Sequence, residues 1–319
     1  MKKNFVLMGA SGYIAPRHMK AIKETNNELV AAYDPYDGIG IIDSYFPNAY
    51  FFTEFELFFN FINEFNKNQE KIDYVSIATP NYLHEPHIKF ALLNDADAIC
   101  EKPLVLYPEQ IDHLKKIENE TGRKVYTILQ LRLHESILAL KQKIEKELQE
   151  NPNKVYDIDL VYLTSRGRWF FVSWKGDEKK SGGLATNIGI HFFDMLSWIF
   201  GPVEENIVHI KQPDVNAGYL KLKNARVRWF LSVNYEYIPD NVKALGKRTF
   251  RSITVNGEEF EFSEGFTELH TKSYEDILNK GGFGLDDAKN SIVIVSDIRN
   301  ATPIGLKGDY HPFCKKVRS

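Results

Sequence analysis

A short apolar run near the start of the chain leads directly into a glycine-rich turn and then into a helical pattern. The run is residues 5–8, the turn is residues 9–15 with the sequence GASGYIA, and Pro16 lies at the start of the helical pattern. Glycine tolerates the sharp backbone bend that is needed where a buried strand is followed at once by a helix. This order predicts the first strand and helix of a βαβ unit, and therefore a parallel sheet.

Short β-rich runs alternate with helical segments through the first 128 residues. The further predicted strands are residues 29–33, 74–78, 98–100 and 125–129. Strands that alternate with helical stretches are typical of parallel sheets covered by helices on both faces. We therefore predict the α/β class, with a doubly wound parallel sheet of the Rossmann type in an N-terminal domain, residues 1–128.

The pattern changes after about residue 150. Residues 225–237 alternate apolar and polar side chains, which predicts a long strand with one buried face. The dipeptide Asn256-Gly257 between two apolar runs predicts a tight hairpin. We predict a C-terminal α+β domain with an open, mostly antiparallel or mixed sheet in residues 129–301. Residues 302–319 lack periodicity and are predicted to be a tail, either loose or held by a partner.

Composition argues against several classes of function. The chain has 319 residues, with 40 basic and 43 acidic side chains and a formal net charge of −3. This balance lacks the concentrated positive charge of a nucleic-acid-binding or membrane-surface protein. No apolar run approaches the ~20 residues of a membrane span, and Cys100 and Cys314 suit a reducing compartment. We expect a cytoplasmic protein that binds neither nucleic acid nor membrane, with no metal site at His84 and His87.

The glycine turn also predicts a nucleotide site. The spacing of Gly9 and Gly12 allows the backbone to approach a pyrophosphate at the start of the following helix. Asp34 lies at the end of the second predicted strand, where a carboxylate accepts hydrogen bonds from ribose hydroxyls. A carboxylate there repels a 2′-phosphate, so NAD is favoured over NADP. The alternative is a structural glycine turn that binds no nucleotide, with Asp34 as a turn residue.

Two groups of polar residues are candidates for the catalytic chemistry. Lys102 follows the strand at residues 98–100, at the edge where open parallel sheets bind ligands, and a lysine there can hold a reacting hydroxyl or ketone. Asn187 and His191 are four residues apart, so a helix would place them on one face. An imidazole titrates near neutral pH and can accept a substrate proton. The alternatives are a solvated lysine and a buried structural histidine.

Motifs spread along the chain resemble the Gfo/Idh/MocA oxidoreductase family. They are the glycine turn with Asp34, Thr79-Pro80-Asn81, Glu101-Lys102-Pro103, and Gly182-Gly183 followed by Asn187 and His191. The resemblance implies a Rossmann domain joined to an α/β domain whose open sheet often forms an oligomer interface. It also implies hydride transfer between a nicotinamide cofactor and a hydroxyl carbon, usually of a sugar. We therefore expect NAD as cofactor and a homo-oligomer, either a dimer or a tetramer.

Longer strings resemble one branch of that family, the WlbA/WbpB-type UDP-N-acetylglucosaminuronate 3-dehydrogenases. These strings lie at residues 40–47, 129–134, 165–177, 186–191 and 265–271. The resemblance implies oxidation of the carbon-3 hydroxyl of a UDP-sugar acid to a ketone, on which an aminotransferase then acts in the biosynthesis of bacterial surface polysaccharide (O-antigen of lipopolysaccharide). It also implies that some members regenerate NAD by reducing 2-oxoglutarate.

The motifs and the resemblance together give a set of candidate site residues. The catalytic candidates are Lys102, His191 and Asn187. The cofactor-binding candidates are Gly9, Ser11, Gly12, Tyr13, Ile14, Asp34, Thr79, Pro80, Asn81, His84, Glu101, Lys102 and Gln130. The substrate-binding candidates are Lys102, Arg132, Arg166, Arg168, Trp174, Asn187 and His191, because arginines suit phosphates and carboxylates.

One departure from the family pattern affects the choice of base. Many members of the wider family have aspartate where this chain has Asn187, and a neutral amide cannot raise the basicity of His191 as a carboxylate would. We expect Lys102 to hold the reacting oxygen and His191 to be the base, with the opposite assignment left open. A dehydrogenase for a different sugar or a cyclitol, and an NAD-binding regulator without catalysis, stay open as well.

Overall fold

The computed structural model describes residues 2–67, 70–262 and 268–317. Residues 265–267 of the string at 265–271, and the last two residues of the predicted tail, lie outside the described residues. Contacts divide the chain into two compact units. The first unit contains residues 1–133 and 267–289, and the second contains residues 134–266 and 290–319.

The first third of the chain contains the strands that the sequence pattern predicts near residues 5–8, 29–33, 74–78 and 98–100, and one further short strand at residues 50–52 that the pattern does not predict. The strands are β1 (Asn4–Met8), β2 (Glu28–Tyr33), β3 (Tyr50–Phe52), β4 (Tyr74–Ile77), β5 (Asp97–Cys100), β6 (Val125–Thr127), β7 (Tyr156–Thr164), β8 (Val203–Lys211), β9 (Val215–Leu222), β10 (Ala225–Ser232), β11 (Thr249–Val255) and β12 (Glu258–Glu259). The α-helices are α1 (Ala15–Glu24), α2 (Phe55–Lys67), α3 (His84–Leu93), α4 (Pro108–Thr121), α5 (Glu135–Glu150), α6 (Arg168–Val172), α7 (Glu178–Ser181), α8 (Ile190–Phe200), α9 (Asp240–Ala244), α10 (Leu269–Lys280) and α11 (Leu285–Asn300).

The first unit contains a parallel sheet of six strands in the order β3-β2-β1-β4-β5-β6. The order reverses direction at β1, which places the turn after β1 beside the end of β4. Carboxyl ends of parallel strands meet at one edge of a sheet, and ligands bind at such a switch point. The predicted Rossmann-type α/β domain is confirmed.

The second unit contains a mixed sheet of six strands in the order β12-β11-β7-β10-β9-β8. Only the β7–β10 pair is parallel, and the other four pairs are antiparallel. This confirms the predicted open, mostly antiparallel or mixed sheet. Asn256 and Gly257 both have positive φ, 53° and 83°, at the turn between β11 and β12, as the predicted hairpin requires.

The strand predicted at residues 225–237 ends at Ser232, so the prediction is wrong beyond that residue. The prediction of a single buried face is also wrong for residues 229–232, because all four are buried. The alternating pattern continues in sequence, but the chain turns into a short 3₁₀ helix at Tyr235–Tyr237. The Asn234 side chain caps that helix by accepting a hydrogen bond of 2.9 Å from the Glu236 N–H. A side-chain oxygen that satisfies a nearby backbone N–H stabilises a turn in place of a strand.

The C-terminal segment packs on the mixed sheet of the same unit. The Ile304 N–H donates to the Val208 carbonyl at 2.9 Å, and Cys314 is 1% exposed. The apolar cluster under this segment joins Cys314, Phe313 and Phe230. Burial of these side chains and a short 3₁₀ helix at Pro312–Lys316 give the segment a fixed position, although its sequence shows no periodicity.

The predicted domain division into residues 1–128, 129–301 and 302–319 stays a prediction. The two contact units differ from it in one respect, because residues 267–289 group with the first unit. Helix α10 lies in that stretch and packs beside α1, to which Lys20 and Glu268 add an ion pair of 2.9 Å. In the part of the chain that the structure describes, no helix is long and apolar enough to cross a membrane.

Gly9→Ala is expected to destabilise the protein by at least about 2 kcal/mol. Gly9 has a φ of 87°, and an added β-carbon would lie 2.6 Å from the Ala78 carbonyl carbon, so the substitution combines a left-handed residue with a backbone clash. The free energy of unfolding in denaturant checks this. Gly38→Ala is the control, since nothing lies within 4 Å of its added β-carbon. Equal stability of the two variants would contradict the expectation.

His311 is expected to make stability depend on pH. Burial lowers the pKa of His311 from 6.5 to about 4, and the unfolded chain regains the ordinary value. The unfolded state therefore binds more protons between pH 6.5 and 4, and stability falls as the pH falls through that window. The slope of the unfolding midpoint against pH across this range should be smaller in His311→Gln than in wild type, with a remainder from buried histidines such as His87, whose pKa burial also lowers to about 4. His113→Gln, at an exposed histidine, should keep the wild-type slope. An unchanged slope in His311→Gln would refute the assignment.

Candidate active site

The turn after β1 is held in place by backbone contacts and by one carboxylate. The Gly9 N–H donates to the Tyr33 carbonyl at 2.9 Å. Asp34, at the end of β2, accepts from the Ser11 N–H at 3.0 Å and from the Tyr36 N–H at 3.0 Å. Because Asp34 is buried and each of its oxygens already accepts one N–H, its position is fixed next to the turn. Each carboxylate oxygen has further acceptor capacity for a hydroxyl.

Helix α1 begins directly after this turn and suits a phosphate. Its N-cap residue is Ile14, which has no side chain that can cap the helix, and its first turn contains no acidic residue. Pro16 lies in that first turn, where a missing N–H costs nothing. In this first turn the N–H groups of Ala15 and Arg17 already donate to the Gly12 and Ile14 carbonyls, each at 3.0 Å. The helix dipole still favours an anion such as a pyrophosphate at this end of α1. Tyr13, just before this helix, is 90% exposed.

His84 connects the loops that follow β4 and β5. Its Nε2 lies 2.9 Å from the Thr79 carbonyl, and its Nδ1 lies 2.6 Å from the Pro103 carbonyl. A neutral imidazole has one N–H, so two carbonyl partners favour the protonated ring. Burial, the larger effect, lowers the pKa of His84. The predicted contact of His84 with the cofactor stays a prediction, and the structure shows the ring holding the two loops together.

The residues around Thr79 are buried in the same region. Thr79, Asn81 and the ring of His84 are all buried, and the Thr79 hydroxyl lies 3.0 Å from His87 Nδ1. Pro80 precedes the 3₁₀ turn Asn81–Leu83. Thr79, Pro80 and Asn81 therefore lie in a well-packed loop at the carboxyl end of β4. Their predicted contacts with the cofactor stay predictions.

Lys102 lies just beyond β5, at the carboxyl edge of the parallel sheet. The Glu101 N–H continues the ladder to the Ile77 carbonyl at 3.0 Å, and the Lys102 N–H donates to the Glu101 carboxylate at 3.2 Å. The Lys102–Pro103 peptide is cis. Lys102 is half-buried, so its side chain keeps access to the surface of the first unit. The structure thus places the lysine where the strand pattern predicts it.

Glu101 lies in a buried cluster that sequence reasoning missed. Its Oε1 is 3.1 Å from His18 Nε2 and 2.8 Å from His270 Nε2. Burial is the largest single effect and raises the pKa of the Glu101 carboxyl, but the hydrogen bonds to the two histidines and the electrostatic interaction with them together hold that pKa well below its usual range. His18 belongs to α1 and His270 to α10. Because the partners come from distant segments, no local pattern could reveal the cluster, although His270 lies in the string at 265–271.

Arg132 and Gln130 lie in a short 3₁₀ helix, Gln130–Leu133. Arg132 is 5% exposed, and its guanidinium donates to the Asp287 carboxylate and to the Asp287 carbonyl, each at 2.9 Å. The structure therefore shows an ion pair where a phosphate or carboxylate ligand is predicted, and the substrate role of Arg132 stays a prediction. Gln130 Oε1 is buried without a hydrogen-bond partner among the described residues, which fits its predicted contact with a ligand.

Three substrate candidates belong to the second unit. Arg166 follows β7, Arg168 begins α6, and both are exposed. Trp174 is half-buried, and the Lys175 ammonium lies 4.1 Å from the centre of its ring. These two arginines therefore lie where the chain leaves β7 and turns into a short helix. Exposed guanidinium groups on such a turn can bind phosphate or carboxylate oxygens.

Asn187 and His191 also belong to the second unit, on a continuous helical segment. Residues Ala185–Gly189 form a π-helical turn that leads into α8. Among residues 184–197, only Asn187 and His191 are partly exposed, and the other twelve are buried. The Asn187 side-chain amide donates to the Lys175 carbonyl at 3.3 Å. The prediction that these two side chains share one accessible face is consistent with this burial pattern. π turns within helices are frequent at functional sites.

Two family models together match most of the chain. Residues 3–129 match the oxidoreductase family with an NAD-binding Rossmann fold, and residues 152–296 match the C-terminal alpha/beta domain of the same oxidoreductase family, Gfo/Idh/MocA. Among curated proteins, the chain is 27% identical to the putative oxidoreductase YteT of Bacillus subtilis over 139 residues and 26% identical to the D-glucoside 3-dehydrogenase of Escherichia coli over 132 residues. These matches cover 43% and 41% of this chain but only 32% and 36% of those proteins.

Solved structures match over nearly the full length. The WlbA (WbpB) dehydrogenase from Thermus thermophilus in complex with NAD and α-ketoglutarate has a TM-score of 0.93 and 52% identity, covering 98% of this chain and 99% of that one. The same enzyme in complex with NAD and UDP-GlcNAcA has a TM-score of 0.93 and 51% identity with the same coverage. The WlbA dehydrogenase from Bordetella pertussis, at 20% identity, a TM-score of 0.75 and coverage of 97% and 98%, shares the fold. The chain therefore belongs to the Gfo/Idh/MocA oxidoreductase family.

Proposed function

We propose that the protein oxidises the carbon-3 hydroxyl of UDP-N-acetylglucosaminuronic acid to a ketone, with NAD as the hydride acceptor. The observation that carries this proposal is the 52% identity, over 98% of the chain, to a WlbA (WbpB) dehydrogenase. That enzyme also forms complexes with NAD and UDP-GlcNAcA. The glycine turn, Asp34 and the uncapped start of α1 support NAD binding from this chain's own geometry.

NAD, when bound, accepts the hydride from carbon 3. The chain's own residues must then hold the hydroxyl oxygen and remove its proton, so that the alcohol loses one hydride and one proton to become a ketone. We assign the first role to Lys102, whose loop is fixed at the end of β5, and the second to His191 on the accessible face of α8. Asn187 orients the sugar through its amide, which unlike a carboxylate leaves the basicity of His191 unaltered.

Exposed arginines support an acidic substrate. A UDP-sugar acid carries two phosphates and a carboxylate, which planar guanidinium groups bind in pairs of hydrogen bonds. Arg166 and Arg168 are exposed on the second unit. Arg132 is instead paired with Asp287. We therefore propose that Arg166, Arg168 and Trp174 bind the substrate. Arg132 binds it only if the substrate displaces Asp287 from the guanidinium.

Similarity to the same enzyme supports one further part of the proposal, the recycling of NAD. Its complex with α-ketoglutarate supports 2-oxoglutarate as the oxidant that regenerates NAD. We further propose that the protein is a homo-oligomer of the cytoplasm and that its ketone product is aminated for bacterial surface polysaccharide, the O-antigen of lipopolysaccharide. Residues 1–128 are proposed as the NAD domain and residues 129–301 as the substrate and oligomerisation domain.

The absorbance spectrum of the purified protein tests this function. A reduced-nicotinamide band should be present or appear with UDP-N-acetylglucosaminuronic acid, and it should disappear when 2-oxoglutarate is added. If the band requires added free NAD and does not change with 2-oxoglutarate, the dehydrogenase activity stands and the recycling of NAD by 2-oxoglutarate is rejected. No band under any condition, despite measurable NAD binding, would reject the proposed function in favour of another sugar or a regulator.

Asp34→Ser is expected to lower the preference for NAD over NADP at least about tenfold. The substitution removes the carboxylate that accepts ribose hydroxyls and repels a 2′-phosphate. Fluorescence titration with NADH and NADPH gives the ratio of dissociation constants. Asp37→Asn, which changes an exposed aspartate three residues away, is the control and should keep the ratio. If the ratio of dissociation constants is the same in Asp34→Ser and wild type, Asp34 does not discriminate between NADH and NADPH.

Lys102→Met and His191→Asn are each expected to lower kcat at least about 100-fold while NAD binding persists. Methionine keeps the length of lysine without its proton donors, and asparagine cannot accept a proton, so both lose general acid–base catalysis. The measurements are steady-state rates with UDP-N-acetylglucosaminuronic acid and NADH titrations. Lys179→Met, on the exposed helix α7, is the matched control and should keep full activity. Full activity in either catalytic variant would remove that residue from the mechanism.

A further inference from the structure

Five buried side chains form one hydrogen-bonded series in the first unit, ending on Glu101. Ser76 Oγ lies 2.6 Å from the Tyr274 hydroxyl, and that hydroxyl lies 2.8 Å from His18 Nδ1. His18 Nε2 and His270 Nε2 then reach Glu101 Oε1 at 3.1 and 2.8 Å. These side chains come from α1, β4, α10 and the residue that follows β5. We call this series the Glu101 network.

The protons of the Glu101 network can be assigned from its ends. The low pKa of Glu101 makes it an ionised acceptor, so both histidines donate from Nε2. His18 is then neutral, in agreement with the burial that lowers its pKa, and its Nδ1 accepts from Tyr274. Burial raises the pKa of Tyr274, which keeps its hydroxyl proton in place to donate. Ser76 donates in turn to Tyr274, so the donors of the series point towards Glu101.

Hydrogen bonds explain this cluster better than a metal ion does. The donor atoms of His18, Glu101 and His270 lie within 4.8 Å of one another, close enough to hold a metal ion. However, 2.8 and 3.1 Å are ordinary lengths for N–H···O bonds between imidazole and carboxylate. The two histidines also satisfy the charge of Glu101 without a cation, and no fourth ligand is present among the described residues.

The network acts on the backbone that carries Lys102. While Glu101 Oε1 accepts from the two histidines, its Oε2 accepts from the Lys102 N–H at 3.2 Å. On the other side of Lys102, the Pro103 carbonyl is held by His84 at 2.6 Å. The carboxylate can fix the lysine backbone only if its own position is fixed, and the two histidines fix it from α1 and α10.

We propose that His18 and His270 are positioning residues, which hold Glu101 so that Lys102 meets the reacting oxygen of the substrate. This inference rests on the proposed function, because it assumes that Lys102 holds that oxygen. His18 lies on α1, which starts at the predicted pyrophosphate site. The network therefore connects α1 to the loop that contains Lys102. Partners that orient a metal ligand typically contribute about 10–100-fold in affinity or activity, and we expect an effect of similar size for these partners of Glu101.

The test compares variants of His18 and His270 that keep or lose the side-chain N–H that donates to Glu101. Glutamine places an N–H near the position of imidazole Nε2, whereas leucine fills the space without a donor. His18→Leu and His270→Leu should each lower kcat about 10–100-fold, with the KM for UDP-N-acetylglucosaminuronic acid and the Kd for NADH changed less than about threefold. His18→Gln and His270→Gln should recover most of the lost kcat. His209→Leu, at a buried histidine on β8, controls for the loss of a buried imidazole and should keep kcat.

The outcomes separate this inference from the function on which it rests. No oxidation by wild-type protein would reject the proposed function, whereas active wild type with full kcat in both leucine variants would reject the positioning role. If the leucine variants fail to fold, the glutamine variants and ¹⁵N spectra of labelled histidines decide. A protonated Nε2 and a bare Nδ1 in both His18 and His270 are expected in the wild-type protein. The opposite tautomers, or a stoichiometric metal in the purified protein, would overturn the network.

Discussion

The close approach of two loop backbones at Gly9 determines how the first unit is built. A side chain at this position would lie within 3 Å of the Ala78–Thr79 backbone, so only glycine allows β1 to end beside β4. That contact sets the start of α1 and brings the turn next to Asp34. Because the strands are parallel, the carboxyl ends of β1, β2, β4 and β5 share one edge of the sheet, where parallel sheets bind ligands.

The sequence predicts features that depend on local spacing. The βα alternation, the glycine turn with Asp34, the lysine after β5 and the Asn256-Gly257 hairpin all follow from neighbours a few residues apart, and the structure contains each of them. Features that depend on distant partners are less predictable. The alternation at residues 225–237 suggests a strand to its end, but the Asn234 cap breaks it, and the final segment is ordered by packing on Phe230 and not by any period.

The three candidate arginines show the same limit of prediction from sequence. Sequence reasoning treats Arg132, Arg166 and Arg168 alike, because residue type and segment are all that it offers. In the structure Arg132 is buried against Asp287, which lies 155 residues away in sequence, whereas Arg166 and Arg168 are exposed. Whether a guanidinium meets a ligand or a structural carboxylate is decided by the fold, and a sequence can reveal the difference only if the distant partner is known.

Burial of the Glu101 charge imposes a further condition on the first unit. A buried carboxylate needs donors to offset its lost hydration, and here they come from α1 and α10. Because α1 also begins at the predicted pyrophosphate site, and Glu101 immediately precedes Lys102, one set of hydrogen bonds fixes α1 and the loop that contains Lys102. A displacement of α10 would therefore leave the Glu101 charge short of a donor and loosen the backbone of Lys102. In this way a helix remote in sequence contributes to the geometry of the lysine.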